Sequence, residues 1–265
     1  MDVAEVLPLP AQPRVLALLL REMSAGKPNV RSLNQLFGAD PVLTALLLAA
    51  ANGAAPQLRG QVRCVAQALV VLPYEKVQQL VQQALATVAR RAKLDFDMSE
   101  FARFSVACAK LARSLAGLAG LEGSAIHTAA LLHGVGQLVL HQAQTQGLRD
   151  LTAQVGVWDP RRPKWEARTW GYSANNTTAA LLRRWYFPSD MIAAIQSMES
   201  PMQTDPFDPM AGVLHLAVWC TRAKHSGWSE RLLVRAFPVD VALALGIDVD
   251  VVLQQEAIDW SQSVY

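Results

Sequence analysis

The sequence lacks the features of secreted, membrane-spanning and disulfide-stabilised proteins. The N-terminal stretch MDVAEVLPLPAQP has no basic start and no long apolar core, so it is not predicted to be a signal peptide. No apolar run reaches the ~20 residues that a membrane helix needs. The three cysteines, Cys64, Cys108 and Cys220, are far apart and form no CxxC motif, which argues against a zinc site and a disulfide framework. We therefore expect a soluble protein with buried free thiols in a reducing cytoplasm.

The sequence also has little net charge and no pattern typical of β-strands. Its 24 basic and 22 acidic residues leave a formal charge of +2, which gives no electrostatic reason to expect nucleic acid or a membrane surface as the main partner. No segment alternates apolar and polar residues convincingly over the length of a strand. With 265 residues, of which 52% are apolar and 17% charged, the chain can bury a core as one large domain or two smaller ones.

Helical signals dominate instead, and the clearest is the stretch ADPVLTALLLAAANG. Asp40 can cap the N-terminus of a helix, and Pro41 fits the first helical position. The apolar residues that follow recur with the helical period, and Asn52-Gly53 provides a stop. This stretch is predicted to be an apolar core helix.

The rest of the chain has similar signals, and the prediction is an all-α protein. Ser32 can cap a short helix over LNQLF, and Ser99 can cap a long one that ends at GLAGLEG. The stretch VWDPRRPKW is interpreted as a break and SPMQTDPFDP as a loop. The other predicted helices cover residues 13–23, 61–72, 73–91, 124–133, 135–146, 174–186, 188–199, 209–225, 229–235, 238–245 and 248–259.

Five stretches follow one another in the order typical of a known family. They are LPLPAQPRVLALL, LFGADPVLTALLLAAANGAAP, VAQALVVLPYEKV, TAALLHGVGQLVL and NNTTAALLRRWYFP. Together they resemble the HDOD domain, a bacterial signalling module related to the metal-dependent HD phosphohydrolases, over roughly residues 6–235. One departure is Pro73, which stands where a glycine is usual.

The resemblance implies an all-α, two-lobed helical HDOD-type fold. Residues 1–92 would form the N-terminal helical lobe, and residues 93–235 the HD-like helical core. Residues 236–265 would form an acidic C-terminal helical extension. The resemblance further implies a regulatory or interaction role, because most members of the family lack the metal site.

The resemblance also locates the metal-ligand positions of HD enzymes, and only one of them keeps a ligand residue here. The residues at these positions, in chain order, are Phe104, His133, Gly134, Asn175, Gln196, Ser197 and Val218. A catalytic HD site needs several imidazoles and carboxylates on one or two ions, with the aspartate after the histidine as the central ligand. Since glycine replaces that aspartate, we predict that this chain binds no metal and no cofactor.

The surroundings of His133 in the sequence support the same interpretation. The nearest acidic residues are Glu122 and Asp150, so any carboxylate would have to come from a distant element. His133 is therefore interpreted as a core histidine, with a ligand pocket as the alternative. His215 lies one turn before Val218 and could line the same place. We refer to the following residues as the vestigial pocket: Phe104, His133, Gly134, Asn175, His215 and Val218.

A second candidate site combines basic and aromatic residues. Such a combination can neutralise and stack a nucleotide or a single strand, although solvated arginines and packed tryptophans would produce the same pattern. The residues of this basic-aromatic surface are Arg161, Arg162, Trp165, Arg183 and Arg184. Nucleic acid itself is not expected as a partner, because the overall charge is low.

These observations predict a non-enzymatic bacterial regulatory protein of signal transduction. It would act by binding another signalling protein, as yet unidentified, and not a membrane. A small molecule that binds in the vestigial pocket is a further candidate, as a modulator of this interaction. Two alternatives are a divergent metal-dependent phosphohydrolase and a sensor that binds a nucleotide through the basic-aromatic surface.

Overall fold

The protein is all-α, as the helical periodicity predicts. The computed structural model describes residues 9–25, 28–91, 96–143 and 146–253, and within these ranges there is no β-strand. The predicted boundary after residue 92 and the last part of the C-terminal extension, residues 254–265, lie outside the described residues.

The N-terminal part of the described chain contains five α-helices. They are α1 (Pro13–Ser24), α2 (Val30–Gly38), α3 (Pro41–Gly53), α4 (Val65–Val71) and α5 (Tyr74–Arg91). Helix α3 is the centre of this group, because most of its side chains are buried and it packs against α2, α4 and α5.

The second part begins with the long helix α6 and continues in mostly shorter helices. Its helices are α6 (Met98–Leu118), α7 (Gly123–Leu132), α8 (Val135–Ala143), α9 (Gln146–Gln154), α10 (Arg162–Trp170), α11 (Ala174–Arg184), α12 (Ser189–Ser197), α13 (Pro209–His225), α14 (Glu230–Ala236), α15 (Val239–Ala244) and α16 (Val249–Leu253). Helix α6 packs against both α7 and α13, and α3 from the first part contacts α6 and α7. The buried apolar side chains of both parts form one continuous core.

The predicted cap of α3 is confirmed and also ties down the start of the chain. Asp40 is buried, and its Oδ1 accepts hydrogen bonds from the backbone of Val42 and Leu43 at 2.8 and 2.9 Å. Its Oδ2 accepts from the backbone N–H of Gln12 at 2.7 Å. One carboxylate therefore satisfies the first turn of α3 and fixes the entry into α1.

Two other helix starts differ from the prediction. Asn29, not Ser32, caps α2, and Asp97, not Ser99, caps α6. In both cases the predicted serine lies inside the first turn, and its backbone N–H donates to the true cap. An amide or carboxylate oxygen can accept from two backbone N–H groups at once, which favours Asn and Asp over a serine a few residues later.

The break predicted at VWDPRRPKW is partly wrong, because α10 begins inside it. No helix is predicted from the sequence at the position of α9. Pro163 is in the first turn of α10, where its missing N–H has no helical partner to lose. Gly171 ends the helix with φ of 79°. The helix predicted over residues 61–72 begins only at Val65.

That late start is explained by Asn52, whose side chain holds the loop between α3 and α4. Its Nδ2 donates to the carbonyl oxygens of Leu48 and Val62 at 3.1 and 2.9 Å, and its Oδ1 accepts from the N–H of Val62 at 3.1 Å. Both backbone groups of Val62 are thereby paired with a side chain instead of entering a helix. The residue predicted to stop α3 also organises the loop after it.

The loop held by Asn52 reaches across to the second part of the chain. Gly60 N–H donates to the carbonyl of Tyr186 at 2.9 Å, and the guanidinium of Arg59 lies 4.2 Å from the centre of the Tyr186 ring. Arg63 and Asp190 form an ion pair at 2.6 Å. The loop is thus a connection between the two helical groups.

The prediction of buried free thiols is confirmed for two of the three cysteines. Cys108 and Cys220 are buried free thiols, whereas Cys64 is partly exposed. Among the described residues no single helix is both long and apolar enough to cross a membrane. Helices α2 and α3 reach that length only when counted together, and they are bent by 118°.

We predict that Asn52→Ala lowers the free energy of unfolding by about 2–4 kcal/mol, because it leaves both backbone groups of Val62 without their buried partner. Urea unfolding followed by circular dichroism measures this. The control is Gln57→Ala in the same loop, where the exposed side chain should contribute within about 0.5 kcal/mol. Equal stability of the two variants would contradict the role assigned to Asn52.

Candidate functional site

His133 lies at the end of α7 and is almost completely buried, with 1% of its surface exposed. Its Nδ1 is 2.6 Å from the carbonyl oxygen of Ala130. Since a carbonyl can only accept, Nδ1 carries the proton. Nε2 has no hydrogen-bond partner in the described structure. Burial lowers the pKa of His133 to about 4, and the positive charge of Arg222 acts in the same direction. The imidazole is therefore neutral.

Aromatic side chains fill the space beside His133. The ring of Phe104 lies 6.1 Å from the imidazole, centre to centre, and stacks on Trp158 at 4.1 Å. A Cβ atom on Gly134 would lie only 3.1 Å from Phe101. A larger side chain at position 134 would therefore have to displace a buried ring. This part of the vestigial pocket is a packed core.

The second glycine of the turn, Gly136, serves helix packing. A Cβ atom on Gly136 would lie 2.1 Å from the carbonyl oxygen of Ala174, so only glycine allows α8 and α11 to approach this closely. Thr178 closes the contact, because its hydroxyl donates to the carbonyl of His133 at 2.7 Å and accepts from the N–H of Gly136 at 2.8 Å. The HGVG turn is thus held to α11 by the Thr178 hydroxyl, which bonds two backbone groups of the turn.

A polar cluster that the sequence did not reveal joins Asn175, Glu199 and Arg222. Asn175 Nδ2 donates to Glu199 Oε1 at 2.6 Å, and the same oxygen lies 3.7 Å from Arg222. The Arg222 side chain is only 9% exposed, and its Nε has no hydrogen-bond partner in the described structure. Removal from bulk water raises the pKa of Glu199, while the charge of Arg222 opposes that rise. The same charge acts on both His133 and His215.

His215 and Val218, both on α13, line a cavity of about 510 Å³ between α10, α12 and α13. His215 Nδ1 lies 2.7 Å from the carbonyl of Met198 and is therefore its protonated nitrogen. Burial lowers the pKa of His215, so its Nε2 presents a lone pair at neutral pH. Glu199 and Arg222 line the same cavity.

The structure therefore divides the vestigial pocket into two. Phe104, His133 and Gly134 belong to the packed core, whereas His215 and Val218 line the cavity. Asn175 is joined to the cavity through Glu199. Of the other positions implied by the resemblance, Gln196 is exposed on the rim and Ser197 is partly buried at the end of α12. In the described ranges no three His, Cys, Asp or Glu side chains are grouped as a metal site requires.

The prediction that Arg162 belongs to a basic surface is wrong. Its side chain is fully buried and pairs with Glu166 at 2.8 Å, and it also donates to the carbonyl of Val155 at 2.6 Å. Glu166 accepts from Gln137 and from the N–H of Ala174, each at 2.8 Å. The ion pair therefore links α8, α10 and the start of α11. The spacing of four residues between Arg162 and Glu166 is typical of an ion pair on one helix, and it is the sequence signal that could have revealed this pair.

The remaining residues of the basic-aromatic surface are exposed but do not form one site. Arg161 pairs with Asp159 at 2.7 Å and lines the cavity beside α13. Arg183 lines a separate cavity of about 530 Å³ near Tyr186, and donates to Gln196 at 3.1 Å. Trp165 is 40% exposed, and Arg184 is exposed on α11.

Comparison with known proteins identifies the family to which this fold belongs. The sequence pattern of the HDOD domain matches residues 9–201, and the chain therefore belongs to the HDOD domain family. The prediction from the five motifs is confirmed. No curated protein matches the chain.

Several solved structures share the fold. The MmoQ response regulator from Methylococcus capsulatus strain Bath is 24% identical, with a TM-score of 0.72 over 92% of this chain and 96% of that one. A virulence factor from Campylobacter jejuni is 17% identical, with a TM-score of 0.62 over 92% and 96% of the two chains. An HDOD domain protein of unknown function from Geobacter sulfurreducens is 18% identical, with a TM-score of 0.52 over 95% and 91%.

We predict that Arg162→Met lowers the free energy of unfolding by about 3–5 kcal/mol, because it leaves the Glu166 carboxylate buried without its cation. Chemical unfolding measures the change. Arg161→Met removes the neighbouring arginine, which is solvated, and should leave stability nearly unchanged. The assignment of Arg162 to the interior fails if the two variants are equally stable.

His133 should make stability dependent on pH. Because its folded pKa is about 4 against an ordinary 6.5, the unfolded chain binds a proton that the folded chain does not, and stability falls as the pH drops through this window. Between pH 7.5 and pH 5 the wild type should lose about 2 kcal/mol more than His133→Leu. His127 and His215, whose pKa values are also lowered by burial, are present in both proteins and cancel. Parallel stability curves for the two proteins would contradict a neutral, buried His133.

Proposed function

We propose that this chain is a bacterial, cytoplasmic regulatory protein of signal transduction that acts by binding another protein and that has lost metal-dependent hydrolysis. The observation that carries the proposal is the state of His133. It is the single ligand-type residue among the positions implied by the resemblance to HD enzymes, and it is buried in a packed aromatic core with a neutral imidazole.

Three features of the site disfavour a divalent ion. Position 134 has no carboxylate to bridge two ions, and a Cβ atom there would lie only 3.1 Å from the ring of Phe101. The positive charge of Arg222 acts on His133 and would repel a second cation. Asn175 stands where HD enzymes have a histidine, and because its Nδ2 donates to Glu199 it offers an ion at most one neutral amide oxygen.

The interaction role is supported by the family and by the exposed surface of the C-terminal helices. No residue of α14 is buried in the described structure, and large apolar side chains on α14 and α15 are well exposed: Leu232, Val234, Val239 and Leu243. A contiguous exposed apolar patch is typical of protein-binding surfaces, and we infer that these four side chains form one. One structural neighbour is named a response regulator, which agrees with a role in signalling. Free cysteines accord with a reducing compartment.

The test of lost hydrolysis is a phosphodiesterase assay on the purified protein. With bis-p-nitrophenyl phosphate and Mn²⁺, Fe²⁺, Ni²⁺ or Mg²⁺, we expect no release of nitrophenol above that of buffer, because His133 alone cannot hold a catalytic ion. His133→Leu serves as the matched control and should give the same background. A metal-dependent rate that disappears in His133→Leu would overturn the proposal and restore the phosphohydrolase alternative.

A further inference from the structure

We propose that the cavity between α10, α12 and α13 binds a small organic anion, a carboxylate or phosphate attached to an apolar or aromatic body. The cavity holds about 510 Å³, which is within the range of small-molecule sites. It combines cationic side chains with an apolar wall. The inference deepens the proposed regulatory function and rests on it for its biological meaning.

The charges around the cavity favour an anion. Arg161, Lys164 and Arg222 line it, against the single carboxylate of Glu199. Arg161 is already neutralised by Asp159 at 2.7 Å. Lys164 is exposed and has no ion pair among the described residues, so two cations face one carboxylate.

The guanidinium of Arg222 lacks hydrogen-bond acceptors among the described residues. Its side chain is about nine-tenths buried, its Nε lacks a hydrogen-bond partner within the described chain, and its contact to Glu199 at 3.7 Å is too long for a hydrogen bond. A buried guanidinium with unused donors is unfavourable unless a partner satisfies them. Arg222 lines the cavity, so an anionic oxygen there would give the guanidinium an acceptor, and a guanidinium can hold a carboxylate or a phosphate by two parallel hydrogen bonds.

The Glu199 carboxylate does not fill that role, because another side chain holds it. Its Oε1 accepts from Asn175 at 2.6 Å, which keeps it at the edge of the cavity. Its negative charge offsets part of the Arg222 charge, and the excess positive charge comes from Lys164. Glu199 thus orients the guanidinium without satisfying it.

The apolar side chains of the cavity would accept the rest of the ligand. Met198, Val218 and Trp219 line the cavity, and Trp219 packs edge-on against Phe237 with ring centres 5.5 Å apart. His215 adds an acceptor, since its Nδ1 is engaged by Met198 and its Nε2 is the unprotonated nitrogen. This arrangement fits a planar or apolar body that carries a hydroxyl or amine.

The test is calorimetric titration of the full chain with four probes: adenosine 5′-monophosphate, 4-phenylbutyrate, adenosine and inorganic phosphate. We expect at least one of the two organic anions to bind. Adenosine, which has no anionic group, and inorganic phosphate, which has no apolar or aromatic body, should bind at least tenfold more weakly. Because one organic anion carries a phosphate and the other a carboxylate, their relative affinities show which of the two groups the cavity prefers. Absence of binding by both would overturn the inference.

Variants then locate the site. Arg222→Met and Lys164→Met should each raise the dissociation constant of the bound anion at least tenfold, whereas Arg183→Met, which removes an equal charge at the other cavity, should not change it. Lys164 is on the surface, so its variant keeps the test valid if Arg222→Met does not fold. Binding that is unaffected by Lys164→Met, or lost equally in Arg183→Met, would overturn the inference.

The outcome is independent of the hydrolysis assay. Absence of both anion binding and hydrolysis would remove this inference and leave the proposed function intact. Metal-dependent hydrolysis would remove the proposed function, whether or not the anion binds.

Discussion

The positive charge of Arg222 inside the second helical group is the constraint on which the site depends. A guanidinium that is nine-tenths buried must be compensated by neighbouring groups, and Glu199 is the carboxylate placed to do so. Its charge favours lower pKa values for His133, His215 and Glu199. The pKa of Asp159 is lowered mainly by the hydrogen bond from Arg161, and the charge of Arg222 contributes to the same shift.

His133 has structural contacts through both its side chain and its backbone. Its Nδ1 satisfies the carbonyl of Ala130, and its own carbonyl accepts from Thr178, so the residue connects α7 to α11 at the place where Gly136 allows the helices to touch. The buried pair of Arg162 and Glu166 holds the start of α11 through Ala174. The histidine thus has a structural task that is independent of metal chemistry.

The sequence predicted the all-α class, most of the helices and the cap of α3, but not the tertiary polar contacts. Asp40 and Pro41 act at the start of their own helix, so these roles follow from capping rules, whereas the bonds of Asp40 to Gln12 and of Asn52 to Val62 do not. Glu199 and Arg222 act through partners 23 or more residues away, and no local pattern marks them. Arg162 was misplaced because nearby prolines concealed the start of α10, and without that helix its pairing with Glu166 was not visible. The five ordered motifs identified the family despite these errors.

The most direct test of a lost metal site is a crystal structure grown with Mn²⁺, with an anomalous difference map calculated at the manganese edge. We expect no anomalous peak beside His133 Nε2 and a guanidinium of Arg222 that stays beside Glu199. A strong peak bonded to His133, with Arg222 displaced from Glu199, would contradict this and return the chain to the metal-dependent hydrolases.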